Sequence, residues 1–466
     1  MSTAQTTPQA SSWTAPTVRL EPEASLWAGL LAARKAPDGA STFRSELGLP
    51  AQGPVVMSGH QAEIWHPGIL TKMIALREFA ARTHAAVAWV VVDQDSNEPG
   101  LVRYPSRLGG GPGGPGRLIS ATWNVGRLMG AADIPTASRS PWTDADLDPN
   151  WGDRPAATPG VACGLARIRD ALRRNAAQPT LAAQLTAATA ALAGEVVEAP
   201  TMCMASAIAR TGAFADIVER MRSDWAVCAR AYNDAAAASP GAGLKPLAID
   251  RGELPLWRLG AGQPRRRVYA AQLQEIPIAE LAPRALLMTA ILREFGCDLF
   301  IHGLGGGIYD HATERWMGEW LGWALAPSVV ATGTCVLPLR SDPPPSDLEV
   351  GRAVWQAHHA RHDPGVLGDA WARRRKQDLV AEIADHRRRG EDPAPSFDEL
   401  HRLLSRVRIE NAAGLDALVR RAQELRQGLA DAKVAGDRTW AFALYDAEQL
   451  VALRDRVRAR FTGGGR

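Results

Sequence analysis

Apolar residues in this chain fall into two patterns: short unbroken runs, and longer stretches that repeat every three or four positions. Residues 54–59 (PVVMSG) form one such run, closed by small residues, and 85–92 (AAVAWVVV) form another. Runs without alternation suit strands covered on both faces, so both segments predict neighbours in a parallel sheet. Between them, Ile69, Leu70, Met73, Ile74, Leu76, Phe79 and Ala80 recur at helical spacing, which predicts a helix over 67–83. Pro67 suits its first turn, where no backbone N–H is needed. A strand, a helix and a strand in this order make a βαβ unit.

The same patterning predicts a short helix at 26–33 and Ala-rich helices over 162–201 and 206–238. Strands are expected at 246–250 and 267–270, with the basic turn 264–267 at their junction. A helix (284–295), a strand (298–302), a helix (309–321) and a strand (329–339) follow. The glycine-rich 108–116 cannot hold regular structure and is expected to be a flexible loop. Pro343, Pro344 and Pro345 break the chain. Beyond them, 370–389 and 396–434 are dense in Arg, Glu, Asp and Leu, and 390–395 separates them. Leu400, Leu403, Leu404 and Val407 repeat as a coiled-coil helix requires, so the region reads as a helical hairpin.

The expected fold is therefore α/β: a Rossmann-like parallel sheet core with helical insertions and a C-terminal α-helical coiled-coil hairpin. Residues 1–20 are expected to be a disordered tail, 21–345 the core with a helical insertion around 160–240, and 346–436 the hairpin. Residues 437–466 are expected to return to the core, with 463–465 a frayed end.

Composition narrows the functions. The 466 residues are 46% hydrophobic and 22% charged, with a net charge of only +3, so no global field favours nucleic acid or an acidic membrane. The 15 tryptophans are not interleaved with basic residues on one element, as a nucleic-acid stacking platform would need. The five cysteines include no CxxC pair, which disfavours a zinc ribbon or a disulfide framework and fits a reducing compartment. No secretory leader and no apolar stretch of spanning length is evident, so a cytoplasmic protein is expected.

Three segments could carry chemistry. The first runs from Ser58, Gly59, His60 and Gln61 through His66, Pro67 and Gly68 to Lys72. A strand end followed by a helix start offers free N–H groups to a phosphate or carboxylate. His60 and His66 flank that turn and can donate to an anion or move a proton, or simply cap the loops. A metal would need a third ligand that the spacing does not supply. The second is 298–310, where Gly303, Gly305, Gly306 and Gly307 follow a strand and His302, Tyr309 and Asp310 crowd the same turn. Glycines there permit close backbone approach to a ligand or tight packing. The third is Asp93 with Asp95, carboxylates at a strand's carboxyl end that could hold Mg²⁺ or an amine, or stand solvated.

Segment 58–72 (SGHQAEIWHPGILTK) resembles the Gly-Gln-Gln-Ala-Gly-Leu-x-x-Gly-Pro-Leu-Tyr-Thr-x-x-Lys segment of the bacillithiol-biosynthesis cysteine ligase (BshC) family in its small, Gln-Ala, Thr and Lys positions. Val92, Asp93, Gln94 and Asp95 are similar to that family's Glu-Asp-His-Asp stretch, and Gly305, Gly306, Gly307, Ile308 and Tyr309 match its Gly-Gly-Pro-Gly-Glu-Ile-Ala-Tyr more loosely. His60 and Gly307 depart from the family pattern. The resemblance implies a Rossmann-like core with a nucleotide pocket, a helical insertion, and a ligase that joins an amino acid, cysteine in that family, to a small-molecule amine. It implies ATP or ADP as cofactor, with Mg²⁺ as a companion ion; a homodimer through the hairpin, 370–434, is expected whether the chain is a ligase or a binding protein. In that scheme His60, His66 and Asp93 are the catalytic residues, and the remaining named residues bind substrate or nucleotide. Two other functions fit the residues: a nucleotide- or metal-dependent transferase on another small molecule, and a non-catalytic dimeric scaffold.

Overall fold

The computed structural model describes residues 15–109, 116–128, 130–148, 150–151, 154–339 and 343–463. It is a mixed α/β fold that divides into two compact units, one made of 1–106, 120–337 and 437–466, the other of 107–119 and 338–436. The first unit and the ribbon that leaves it contain β1 (Thr17–Glu21), β2 (Val55–Gln61), β3 (Ala86–Val92), β4 (Leu101–Leu108), β5 (Arg117–Asn124), β6 (Thr201–Met204), β7 (Glu253–Arg258), β8 (Arg266–Tyr269), β9 (Leu281–Pro283), β10 (Leu299–His302) and β11 (Ser328–Thr334). Its helices are α1 (Trp27–Ala33), α2 (Ala40–Glu46), α3 (Pro67–Thr83), α4 (Pro159–Arg174), α5 (Leu181–Ala193), α6 (Gly212–Ala238), α7 (Ala285–Ile291) and α8 (Leu304–Leu321).

Six strands form the main sheet in the order β1-β11-β10-β2-β3-β6. All neighbours are parallel except β1, which runs antiparallel along β11. Burial explains the sequence runs: Val55, Val56 and Met57 of β2 and Ala88 and Trp89 of β3 are shielded on both sides. From β2 the chain proceeds outward through β3 to β6, whereas from β10 it proceeds the other way to β11. The order therefore reverses between β2 and β10, the place where open α/β sheets leave a crevice at their carboxyl ends. The crossover helices lie on opposite faces. A side chain at Gly333 would meet Thr71 of α3, whereas Gly307 of α8 faces Val330, and strand positions three apart point to opposite faces. On the α8 side, Met57, Val90 and Phe300 pack with Phe214, Met221, Leu287 and Trp316 in one core.

Several expected elements differ. The tail expectation fails for 17–20, since β1 pairs there with β11; residues 1–14 lie outside the described residues. Most of the expected loop 108–116, and residues 464–465 of the expected frayed end, also lie outside them. The Ala-rich 162–201 splits into α4 and α5 and ends in β6, a short strand with little pattern of its own. The strand expected at 246–250 is replaced by a 3-10 turn over Ile249–Arg251; Gly252, at φ 71, reverses the chain into β7.

The second unit holds α9 (Asp347–His359), α10 (Ala370–Arg389), α11 (Ala394–Glu410) and α12 (Ala412–Ala435). The single hairpin is corrected to two packed helix pairs, α10 with α11 and α9 with α12. The expected long second arm divides at Asn411, which caps α11, and α9 was not foreseen. After α12, the segment from 437 rejoins the first unit, where Trp440 and Phe442 are fully buried and α13 (Ala447–Phe461) packs on α3.

Candidate functional site

A cavity of about 430 Å³ opens at the sheet's switch point. Its walls come from the ends of β2 (Gly59, His60, Gln61) and β10 (His302), and from the first turns of α3 (Gly68, Ile69, Lys72) and α8 (Leu304, Gly305, Gly306). A larger hollow of about 770 Å³ lies at the opposite, amino-terminal end of β3. Its charges answer each other, Arg458 with Glu78 at 2.9 Å and Arg77 with Glu198 at 3.6 Å, so it offers less chemistry.

The start of α3 builds one wall. His66 is its N-cap, and its Nδ1 accepts from the Gly68 backbone N–H at 3.0 Å. An accepting nitrogen must be unprotonated, and burial, with the His60 imidazole and the Arg438 guanidinium nearby, pushes the His66 pKa down to about 4. A side chain at Gly68 would meet the His66 ring at 2.7 Å and Arg438 at 3.0 Å. Glycine therefore lets the imidazole and the guanidinium lie against the helix start. Arg438 donates to Thr332 Oγ1 at 2.6 Å, and no carboxylate among the described residues lies within ion-pair distance of it.

Lys72 sits one turn into α3. It is only 5% exposed, its Nζ donates to the Gly59 carbonyl, and it lies 5.3 Å from the centre of the Trp89 ring. Burial lowers its pKa to about 7, with Glu63 opposing the shift. His60 Nε2 meets Glu63 Oε1 at 2.9 Å, and Asn97 donates to Glu63 Oε2 at 3.1 Å. Burial pushes the His60 pKa down despite that carboxylate. Burial also acts to raise Glu63, but the bond from His60, that residue's charge and Asn97 outweigh it and hold Glu63 low. The pair is therefore a neutral imidazole donating to a carboxylate.

A second imidazole and carboxylate lie together on β10 and α8. His302 Nε2 lies 3.0 Å from Asp310 Oδ1, without the alignment of a good hydrogen bond. The fully buried Arg293 holds Asp310 Oδ1 at 3.0 Å and Glu314 at 2.5 Å. Burial would raise the Asp310 pKa, but His302 and Arg293 together keep it low. Gly306 makes room for this pair: a side chain there would stand 2.3 Å from His302 Nδ1. The glycines are not a loop, as the sequence suggested, but the N-cap and first turns of α8, with Gly303 at the cap. A side chain at Gly305 would meet nothing within 4 Å, so neither packing nor φ demands glycine there.

Of the expected site residues, Gly59, His60, Gln61, His66, Gly68, Lys72, His302, Gly303, Gly305, Gly306, Tyr309 and Asp310 share this cavity. Four do not line it. Ser58 is fully buried and donates to the Ile301 carbonyl at 2.7 Å, bridging β2 and β10. Gly307 faces Val330. Asp93 accepts from the N–H and hydroxyl of Ser206 at 2.8 and 2.5 Å, fastening the turn after β6. Asp95 is paired with Arg265 at 2.6 Å. The sequence analysis missed Arg438, Thr332 and the partner role of Glu63. Glu63 stood inside the first motif; Arg438 lies far along the chain and carries no local signal.

Among the described residues, no group of three or more His, Cys, Asp or Glu side chains is placed to hold a metal ion. Glu63 and Asp310 are both committed to histidines, so Mg²⁺ has no ready protein cage and would depend on a ligand's phosphates. The chain matches no established protein family and no curated protein. No helix among the described residues is long and apolar enough to cross a membrane.

Proposed function

We propose that the cavity is the active site of a nucleotide-dependent ligase or transferase that joins an amino acid to a small-molecule amine, the BshC type of reaction. One observation carries the proposal. Two helix starts and two cations, Lys72 and Arg438, converge on a cavity bordered by two imidazole–carboxylate pairs. Helix starts and cations bind phosphate oxygens and stabilise charge as it develops on them. In the reaction, the amino acid's carboxylate forms a P–O bond to the nucleotide as the bond to the leaving phosphate breaks. The amine then forms the C–N bond, the acyl C–O bond breaks, and the amine's proton passes to neutral His60, whose charge Glu63 balances. His302, backed by Asp310, hydrogen-bonds the departing phosphate oxygen in this scheme.

Calorimetric titration of the full chain with ATP, ADP and AMP tests this. Binding in the micromolar range is expected, with Arg438→Gln weakening it about tenfold or more, the value of a charged hydrogen bond. A folded wild type that binds none of the three overturns the proposal. The helical unit favours a companion role. It leaves Leu348, Trp371 and Ile409 largely in solvent, and we assign these side chains to a homodimer contact.

A further inference from the structure

A further hollow, of about 280 Å³, lies beside the main cavity, and Val92, Ala285 and Leu286 line both. Its other side is built from Trp257, Tyr232, Leu244 and Pro255. Two guanidinium groups lie over the Trp257 ring, Arg265 at 4.5 Å and Arg284 at 4.4 Å from its centre. Both are held by carboxylates of the protein: Arg265 by Asp95 at 2.6 Å, and Arg284 by the buried Glu253 at 2.8 Å, which also takes Arg267 at 3.1 Å. The hollow presents guanidinium planes, held flat by the indole beneath them, among aliphatic side chains, and such planes stack on planar rings. Two polar groups there have no hydrogen-bond partner among the described residues, the Tyr232 hydroxyl and Gln94 Oε1. The Gln94 amide is oriented by the bond from its Nε2 to the Pro283 carbonyl, which leaves Oε1 as the acceptor.

We propose that this annex receives the heteroaromatic base of a nucleotide whose phosphates occupy the main cavity. The inference rests on the nucleotide reading above and specifies which walls recognise the ring. It also gives Asp95 a role: the carboxylate holds Arg265, whose guanidinium lies over Trp257.

Calorimetry on the full chain with ATP and with inorganic tripolyphosphate separates the two claims. Wild type is expected to bind ATP about tenfold or more tighter than tripolyphosphate, the usual scale of stacking one base. Leu244→Trp, at a partly exposed position, fills the annex. It is expected to bring ATP down to the affinity of tripolyphosphate and leave tripolyphosphate unchanged. Trp257→Leu is expected to act the same way through loss of the stacking surface. Equal binding of the two ligands by wild type, or an ATP preference that survives Leu244→Trp, overturns the annex and leaves the phosphate site standing. Failure of both ligands to bind overturns the nucleotide reading itself, and the annex with it.

Discussion

Lys72 shows how one residue can cost stability and serve a ligand. Its amine is buried against the Gly59 carbonyl, to which it donates, and its pKa falls from the usual range to about 7. The unfolded chain, with an ordinary lysine near 10.4, then binds more protons than the folded chain between about pH 7 and 10. Stability from this group therefore rises with pH across that window, and the full penalty stands below pH 7. Lys72→Met is expected to flatten the rise and to melt at or above the wild-type temperature at pH 6, despite losing the bond to Gly59. The same variant is expected to lose nucleotide affinity. A bound phosphate favours the charged amine, so binding at pH 8 is expected to take up about one proton in wild type and none in the variant. Calorimetry in buffers of different ionisation enthalpy reads this directly, and equal uptake in both proteins would remove Lys72 from the site. Lys72 was legible in the sequence because it lies one helical turn beyond His66. Arg438 was not: nothing near it in the chain resembles a binding motif, and only the return of 437–466 brings it to α3.

At the scale of elements, the βαβ pattern of β2, α3 and β3 was readable because continuous apolar runs and a 3.6-residue repeat are strong signals. Short elements were not. β6 has four residues, and the strand expected at 246–250 lost to the turn at Gly252. The glycine-rich start of α8 was misread for a physical reason: glycine's poor helix propensity argues for a loop, but the junction with β10 overrides it. Those glycines have unequal jobs, and substitution should expose this. Gly305→Ala has open space and ordinary φ, so it is expected to stabilise the protein by a few tenths to about 1 kcal/mol. It also places a methyl group at the cavity wall, so ligand affinity should fall. Gly306→Ala must displace the His302 imidazole, and is expected to destabilise by roughly 1–3 kcal/mol, the cost of overpacking. Chemical denaturation beside ligand titration separates the two. Gly305→Ala that leaves affinity unchanged would mean no ligand approaches this turn.

The whole chain divides its labour between a unit with a deep core and one with a thin core. In the helical unit, Ala372, Leu379, Leu403 and Val407 form a small buried cluster, while Leu348, Trp371 and Ile409 remain 72%, 65% and 77% exposed. The Arg- and Glu-rich composition had suggested a coiled-coil hairpin. The four-helix arrangement differs because Asn411 and the 343–345 proline break set the helix ends, and heptad spacing alone does not show where a helix stops. Large apolar side chains held in water are costly, and each regains on the order of 1.5–3 kcal/mol when fully covered. Burying them in both copies of a dimer offsets part of the entropy cost of association. Light scattering is therefore expected to give a mass near twice 49.9 kDa across a concentration series. The double variant Trp371→Glu, Ile409→Glu is expected to run as a monomer with unchanged helix content and unchanged nucleotide affinity, because the cavity lies wholly in the first unit. A wild-type monomer, or a double variant that stays dimeric, would show that these side chains do not form the contact.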